Sequence, residues 1–540
     1  MPFANHQRKQ ALGPLFRSID KTRFSVFVLL GITSAVRIEA YLQAIARVFS
    51  KDKSVMILVP EISLIPQLSE CLRFRFGQTV AVFHSRLSAG ERLRQWLNIE
   101  NGISRIVVGT RSAVLLPVKR LGMIIIDQEH DFSYKQDETP RYHSREVAIA
   151  RAKLTRAVVV LGSATPSLES YYNARKKLFK IIKLNSDEGD KMLPPVRIVD
   201  MRREIKGKGE SKKIFSSVLT EAIQQRLTRK EGVVLFLNRR GFSTFVYCKG
   251  CGYVLRCTEC YLPLSYHFQA KELVCRYCGY RQKPDEICPR CNKSYLSYFG
   301  VGTQKLESET ARIFPQARIG RMDADSVKNT ALYQKLLEGI KKGRIDILVG
   351  TQMLSRITDI SRITLVGIVS ADMSLNLPDF RAGEHTFQIL SQMAGKTGRR
   401  QTNSEVIIQT YNPKHYSITS AARYDYGKFY TQELVSRKEL KFPPYVHIFN
   451  LMFRGKSEEK VGLAAECLSG ILKKSAVKGI EIIGPASLPL VKRRGSFRRH
   501  ILLKGKEPTS LNRFLRRGLK KFKTPSGVIF KVDVYPVTVP

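Results

Sequence analysis

The chain has 540 residues, 43% of them hydrophobic, enough to bury cores in several domains and too many for a disordered chain. Lysine and arginine total 91 against 46 acidic residues, a net charge of +45 that lies far outside the range of a metabolic enzyme with a small substrate and points to a polyanionic partner. No apolar run approaches the ~18 residues of a membrane span, no basic amphipathic anchor stands out, and the amino-terminal MPFANHQRKQ lacks the apolar core of a secretory signal, so nucleic acid is the expected polyanion and the cytoplasm the expected location.

In chain order, Phe24 to Leu30 (FSVFVLL) has the length of one buried strand of a parallel sheet, and GITSAVRIEAYLQAI after it turns helical. Strand, glycine, loop and helix is where a phosphate-binding loop belongs, with glycine amides around phosphate, then Lys, then Ser or Thr for magnesium. Of that pattern Gly31 and Thr33 remain, followed by Ser34, Val36, Arg37 and Ile38. LVPEISLIPQ, FHSRLSAGERLRQW, VVGTRSAVLLP, MIIIDQEH and VVVLGSATPS follow, mostly apolar runs that end in polar clusters, as in a doubly wound sheet whose active edge lies at the carboxyl ends of its strands. MIIIDQEH has the Walker B form and delivers Asp127 to the magnesium position, a reading strengthened by GSAT some thirty residues on. In DFSYKQDETPRYHSRE, Phe132, Tyr134 and Tyr142 alternate with Lys135, Arg141 and Arg145, a mixture suited to stacking bases and holding phosphates; a tyrosine-rich loop packed on its own lobe would read the same.

Residues 196–230 read as a basic, solvated connector around KGKGESKK that leads into an amphipathic helix, SSVLTEAIQQRL. CKGC, CTEC, CRYC and CPRC then place eight of the ten cysteines between Cys248 and Cys291. Each Cys-x-x-Cys turn offers two thiolates to a tetrahedral ion, so four turns make two closed zinc sites. Disulfides would require an oxidising compartment, and an iron–sulfur cluster is the other alternative. His267, between the knuckles, reads as a loop histidine. Near the end, VKRRGSFRRH packs five basic residues around Phe497, either a solvated face or a nucleic-acid contact.

GTRSAVLLP, the DQEH box with the segment after it, LGSATPSLES, LFLNRRGF, the eight-cysteine insert, DILVGTQML, NLPDFRAGEHTFQIL, QMAGKTGRR, EVIIQTYNP and RKELKFPPY together resemble the primosomal protein N′ (PriA) family, superfamily 2 DNA helicases of bacterial replication restart. The resemblance covers nearly the whole chain. It implies an α/β fold with two RecA-like lobes, the first over residues 1–190 and the second over 297–437 after a linker and start at 191–243. A zinc insert occupies 244–296, and a small α+β domain 438–540. It implies nested ligands, with Cys248 and Cys251 pairing with Cys288 and Cys291 around Cys257, Cys260, Cys275 and Cys278. It also implies ATP and magnesium at Gly31, Thr33, Arg37 and Ile38, catalytic roles for Asp127, Glu129, His130 and Arg399, and DNA contacts at Arg111, Phe132, Tyr134, Lys135, Arg141, Tyr142, Arg239 and Arg240.

The departures concentrate in the ATP cycle. Ser34-Ala35-Val36-Arg37-Ile38 stands where the family has Gly-Ser-Gly-Lys-Thr, so a β-branched residue replaces a glycine, a guanidinium the compact ammonium, and an alkyl group the magnesium-binding hydroxyl. Gln128 replaces the water-positioning carboxylate, Arg356-Ile357-Thr358 replaces Lys-Gly-His, and Lys396 replaces the first arginine of the last motor motif, while Arg399 keeps the arginine-finger position. Weak or lost catalysis is expected, with ATP and magnesium doubtful and two zinc ions retained. The leading expectation is a monomer that binds forked or single-stranded DNA and recruits primosome proteins, single-strand-binding protein and the replicative helicase. An active 3′-to-5′ helicase is the alternative, and a zinc-ribbon nucleic-acid-binding remnant the third reading. The family's 3′-end-binding and winged-helix regions do not precede this motor, so either the true start lies upstream or that module has been shed.

Overall fold

The computed structural model describes residues 2–31, 33–184, 193–204, 214–238, 245–248, 250–267, 271–284, 287–293, 296–298, 302–323, 330–356, 362–395, 403–487 and 495–537. The chain divides into two units, Met1–Lys191 and Met192–Pro540. Among the described residues no helix is long and apolar enough to cross a membrane.

The first unit begins with helix α1 (Pro2–Asp20), then strand β1 (Ser25–Gly31), α2 (Ser34–Phe49), β2 (Ser54–Leu58), α3 (Ile65–Phe76), β3 (Val80–Phe83), α4 (Ala89–Glu100), β4 (Ile106–Gly109) and β5 (Leu121–Asp127). A short hairpin, β6 (Lys135–Gln136) and β7 (Tyr142–His143), leads to α5 (Ser144–Thr155), β8 (Val158–Ser163), α6 (Leu168–Arg175) and β9 (Lys180–Leu184). Seven strands form one parallel sheet in the order β3-β4-β2-β5-β8-β1-β9. Its residues alternate between two cores. Phe27, Ile57 and Ile125 face α1, α2 and α3, and Val28, Met56 and Ile126 face α4 and α5. Burial on both faces explains why these strands read as continuous apolar runs. The register Leu30↔Ser163 and Asp127↔Gly162 brings the ends of β1, β5 and β8 to one edge.

The second unit opens with β10 (Val196–Asp200), α7 (Ser217–Thr228) and β11 (Gly232–Phe236). The expected solvated connector is therefore corrected at its start: residues 196–200 are an edge strand paired with Val406 to Thr410, its β-branched Val196, Ile198 and Val199 suiting a strand and its exposed Arg197 a half-covered edge. The KGKGESKK stretch lies outside the described residues. The cysteine module follows as β12 (Val246–Cys248), β13 (Ser265–His267), β14 (Glu272–Val274), β15 (Arg281–Gln282) and β16 (Leu296–Tyr298). Then come α8 (Thr303–Ile313), β17 (Ile319–Met322), α9 (Thr330–Lys341), β18 (Ile347–Gly350), β19 (Ile363–Ile368), α10 (Asp372–Leu375), α11 (Ala382–Ala394) and β20 (Glu405–Thr410), completing a six-stranded parallel sheet, β10-β20-β19-β11-β18-β17. After α12 (Tyr416–Ala422) and α13 (Tyr426–Glu439), the chain builds an antiparallel sheet from β21 (His447–Gly455), β22 (Ile480–Ser487), β23 (Phe497–Gly505) and β24 (Val528–Val534) in the order β22-β23-β21-β24, with α14 (Glu458–Lys474) and α15 (Pro508–Leu519).

Candidate nucleotide site and paired metal centres

The loop after β1 caps α2 in the ordinary way: Thr33, with φ −110 and ψ 148, accepts a hydrogen bond from the Val36 amide at 3.1 Å. Arg37, in the first turn, folds back under the loop. Its Nη1 donates to the Gly31 carbonyl at 2.8 Å and its Nε to Asp127 Oδ1 at 3.0 Å, while Tyr41, one turn further on, donates to the same oxygen at 2.8 Å. Both side chains are buried. Burial opposes the Arg37 charge, but Asp127 and Tyr41 more than restore it, so its proton affinity rises; burial, then Asp127, pushes the Tyr41 hydroxyl well above its ordinary range and keeps it a donor. Two glycines make room for this arrangement. A Cβ at Gly31 would lie 2.9 Å from Arg37 Cγ, and one at Gly162 would overlap the Tyr41 hydroxyl.

These residues do not fit a magnesium–nucleotide complex. Oδ1 of the carboxylate already accepts two hydrogen bonds, a guanidinium beside it repels a divalent cation, and Ile38 has no oxygen to offer. The rest of the box is tied to the starts of α5 and α6 and to the end of β8. Glu129 is buried and accepts from the Ser167 amide at 2.7 Å, Ser170 Oγ at 3.0 Å and Arg145 Nη1 at 2.9 Å. Ser163 Oγ accepts from the Thr165 amide at 2.9 Å and pairs with His130 Nδ1 at 2.7 Å, and burial depresses the His130 pKa, which favours the neutral ring. Gln128 takes the left-handed backbone conformation at φ 51. Lys396 and Arg399 lie outside the described residues.

The aromatic segment departs from its expected role at two positions. Tyr134 is fully buried, its hydroxyl donating to the carbonyls of Leu58 at 2.9 Å and Asp127 at 2.6 Å, so it staples the loop across the ends of β2 and β5 and presents no face to a base. Lys135 is buried too and is not placed for phosphate. Arg111 is turned to the same loop, Nη1 donating to the carbonyls of Ser133 at 3.2 Å and Lys135 at 2.6 Å, and Arg145 is committed to Glu129. Phe132, Arg141 and Tyr142 are half-buried, and the exposed tip is Asp137, Glu138, Thr139 and Pro140, which carries negative charge. Arg239 and Arg240 lie outside the described residues.

The four knuckles share one backbone design. The amide four residues after each first cysteine returns to that cysteine's carbonyl: Gly252 to Cys248 at 2.8 Å, Tyr261 to Cys257 at 3.0 Å, Gly279 to Cys275 at 3.0 Å and Asn292 to Cys288 at 2.9 Å. Gly252, Tyr261, Gly279 and Asn292 all have positive φ, between 52 and 87. The turns bring Cys248, Cys251, Cys288 and Cys291 together as one tetrad and Cys257, Cys260, Cys275 and Cys278 as another, the sulfurs of each within 4.8 Å of one another. This is the nested pairing that the resemblance implies. Closest approaches of 3.3 to 3.7 Å exclude disulfides. They approach the ~3.8 Å edge of a tetrahedron of sulfurs ~2.3 Å from zinc. Both tetrads fit a zinc ion.

Three family models match: the primosomal protein N C-terminal domain over residues 438–537, the DEAD/DEAH box helicase over 34–174, and the PriA DNA helicase Cys-rich region over 257–283. The replication restart protein PriA of Bacillus subtilis is 40% identical over 99% of this chain and 67% of its own length. The chain belongs to the PriA family. PriA of Treponema pallidum is 38% identical over 95% of the chain and 77% of that protein, and PriA of Synechocystis 40% over 95% and 62%. The chain thus spans about two thirds of the length of these relatives. A solved structure of RecG bound to a three-way DNA junction matches with a TM-score of 0.45 at 13% identity, over 79% of this chain and 46% of that one.

A basic helix face of this PriA-family chain is visible in the structure and not in any motif. Helix α15 buries Leu511, Phe514 and Leu515 and exposes Arg513, Arg516, Arg517, Lys520, Lys521 and Lys523 along its outer side and end. None of the six forms an ion pair among the described residues. Apolar residues at i, i+3 and i+4 with cations between them were the available signal.

Proposed function

We propose that this chain is a PriA-type replication-restart protein that binds forked or single-stranded DNA and serves primosome assembly without an efficient ATPase. The observation that carries this reading is the Arg37–Asp127 pair: the position that should hold phosphate and the carboxylate that should hold magnesium bind each other. Gln128 removes the carboxylate that would orient the attacking water. DNA binding is supported by the net charge of +45 and by the unpaired cations of α15. Primosome proteins, single-strand-binding protein and the replicative helicase are the partners to look for, and the working form is a cytoplasmic monomer with two zinc ions.

The test is phosphate release at saturating ATP with and without forked DNA. No DNA-stimulated turnover is expected. Turnover that disappears in Asp127→Ala would establish the alternative, an active 3′-to-5′ helicase. Competition of forked DNA against RNA separates the remaining reading, since a preference for RNA would remove DNA restart.

A further inference from the structure

The antiparallel sheet of the C-terminal part is covered on both faces. On one face, Phe449, Leu451 and Phe453 of β21 and Ile501 and Leu503 of β23 pack beneath α14 and α15. On the other, the alternate residues Ile448 and Leu502 share a core with Leu255, Leu264 and Leu273 of the cysteine module. An antiparallel sheet often leaves its second face to water and makes it polar. Here that face is buried under the module, with the apolar Ile448 and Leu502 beside the equally buried His500 and Lys504.

The cover is fastened at the inner tetrad. Tyr277, between the ligands Cys275 and Cys278, meets Phe442 edge-on with ring centroids 5.5 Å apart, and Phe442 stacks on Phe380 of the second lobe at 4.7 Å with planes 7° apart. Lys504 of β23 sits 4.4 Å from the Phe442 ring and 5.2 Å from that of Tyr277, and donates to the Leu440 carbonyl at 3.3 Å. His500 Nε2 lies 3.3 Å from the Tyr277 carbonyl. The knuckle's Gly279 rests against β22, where an added Cβ would stand 3.3 Å from that of Ala486. Beneath Phe380, Arg437 is held by Glu384 at 3.1 Å and Glu433 at 2.8 Å, which anchors the stack in α11 and α13. The outer tetrad faces elsewhere. Gly252 is pressed so closely on the Tyr411 carbonyl, just past β20, that a Cβ would overlap it, and Tyr247 packs on the Tyr411 ring at 5.1 Å.

We infer that the two metal sites divide the work: the inner one is a zinc-dependent fastener that holds the C-terminal sheet to the second lobe, and the outer one secures the module to that lobe alone. This rests on the reading of the tetrads as zinc sites. Tyr277 has a ligand on either side at two residues or fewer, so the ion fixes where its ring stands. Loss of the inner ion frees that ring, uncovers Ile448 and Leu502, and lets the basic face of α15 move independently of the lobe.

The experiment compares the full chain with C275S/C278S, C288S/C291S and Phe442→Ala, measuring zinc content and hydrogen exchange. C275S/C278S should keep one of the two ions and exchange about tenfold faster in β22 and at the amides of Leu440, Lys441 and Tyr445, while C288S/C291S changes them by less than about twofold. Phe442→Ala should keep both ions and still release β22, which guards against misfolding of the cysteine variants. Unchanged β22 exchange in Phe442→Ala, or equal effects of the two cysteine pairs, would overturn the division of work. A wild-type protein that takes up no zinc would instead overturn the reading of the tetrads themselves.

Discussion

At the nucleotide edge of the first unit, Arg37, Tyr41 and Asp127 satisfy one another within 3.0 Å, whereas in the knuckles of the second, four sulfurs converge at the spacing an ion between them would set. Both places retain residues of a family motif. The difference is whether the polar groups complete their own bonding. A buried charge must find a partner. Where a neighbouring side chain supplies it, a ligand gains little by entering; where only an ion can supply it, the site remains a binding site. Retention of motif residues is therefore a weaker sign of function than the state of their valences.

The largest expected effect falls on the knuckles. Cys260→Ser should lose the inner ion, keep the outer one and unfold the part of the module around the inner tetrad, since structural zinc contributes about 10–16 kcal/mol to small zinc folds; zinc content and thermal unfolding check this, and an inner part that melts unchanged would break the comparison. Next is the buried pair. Arg37→Met should destabilise the first unit by about 3–5 kcal/mol, because it strands a carboxylate, while Arg37→Met with Asp127→Leu should recover most of that loss. Denaturant unfolding of the full chain measures both, and a double variant no better than the single would show that the pair is not self-contained.

A smaller effect comes from two histidines of the second unit. Burial, then Arg256, holds His415 down to about 4, and burial holds His500 at about 4 against the opposing hydrogen bond to Tyr277. Both folded values lie below the ordinary ~6.5, so their contribution is intact above that pH and is lost as pH falls from ~6.5 toward 4, by about 1.4 kcal/mol per pH unit for each ring. Denaturation midpoints between pH 7 and 5 should fall, and the slope should flatten in His500→Gln. The smallest effect is at Tyr277, whose buried hydroxyl has no hydrogen-bond partner among the described residues. Tyr277→Phe should be neutral or more stable by up to about 1 kcal/mol with both ions retained; a clear loss would mean that the hydroxyl, and not the ring, carries the contact.

Much of this was legible in the sequence because it depends on local spacing. Cys-x-x-Cys turns present two sulfurs whatever surrounds them, and apolar runs such as MIIIDQEH could end only at the active edge of a parallel sheet. What stayed hidden depends on which way a side chain turns. The alternation of Tyr134 and Lys135 with their neighbours fits a DNA-facing loop and a loop packed on its own lobe equally well, and the carbonyls that select the second, those of Leu58 and Asp127, come from distant strands. Arg37 read as a poor substitute for lysine; that it turns inward to claim Asp127 requires Gly31 and Gly162 to leave it and Tyr41 room. Val196 to Asp200 was hidden for a similar reason, since a five-residue edge strand with an exposed arginine reads like the basic stretch that follows it.

On the proposed function Arg37, paired with Asp127, stands in place of phosphate and magnesium. Titration of a fluorescent, non-hydrolysable ATP analogue into the full chain, with and without magnesium, decides the matter. The Arg37–Asp127 pair predicts no magnesium-dependent binding. Saturable binding that requires magnesium and vanishes in Asp127→Ala would contradict it.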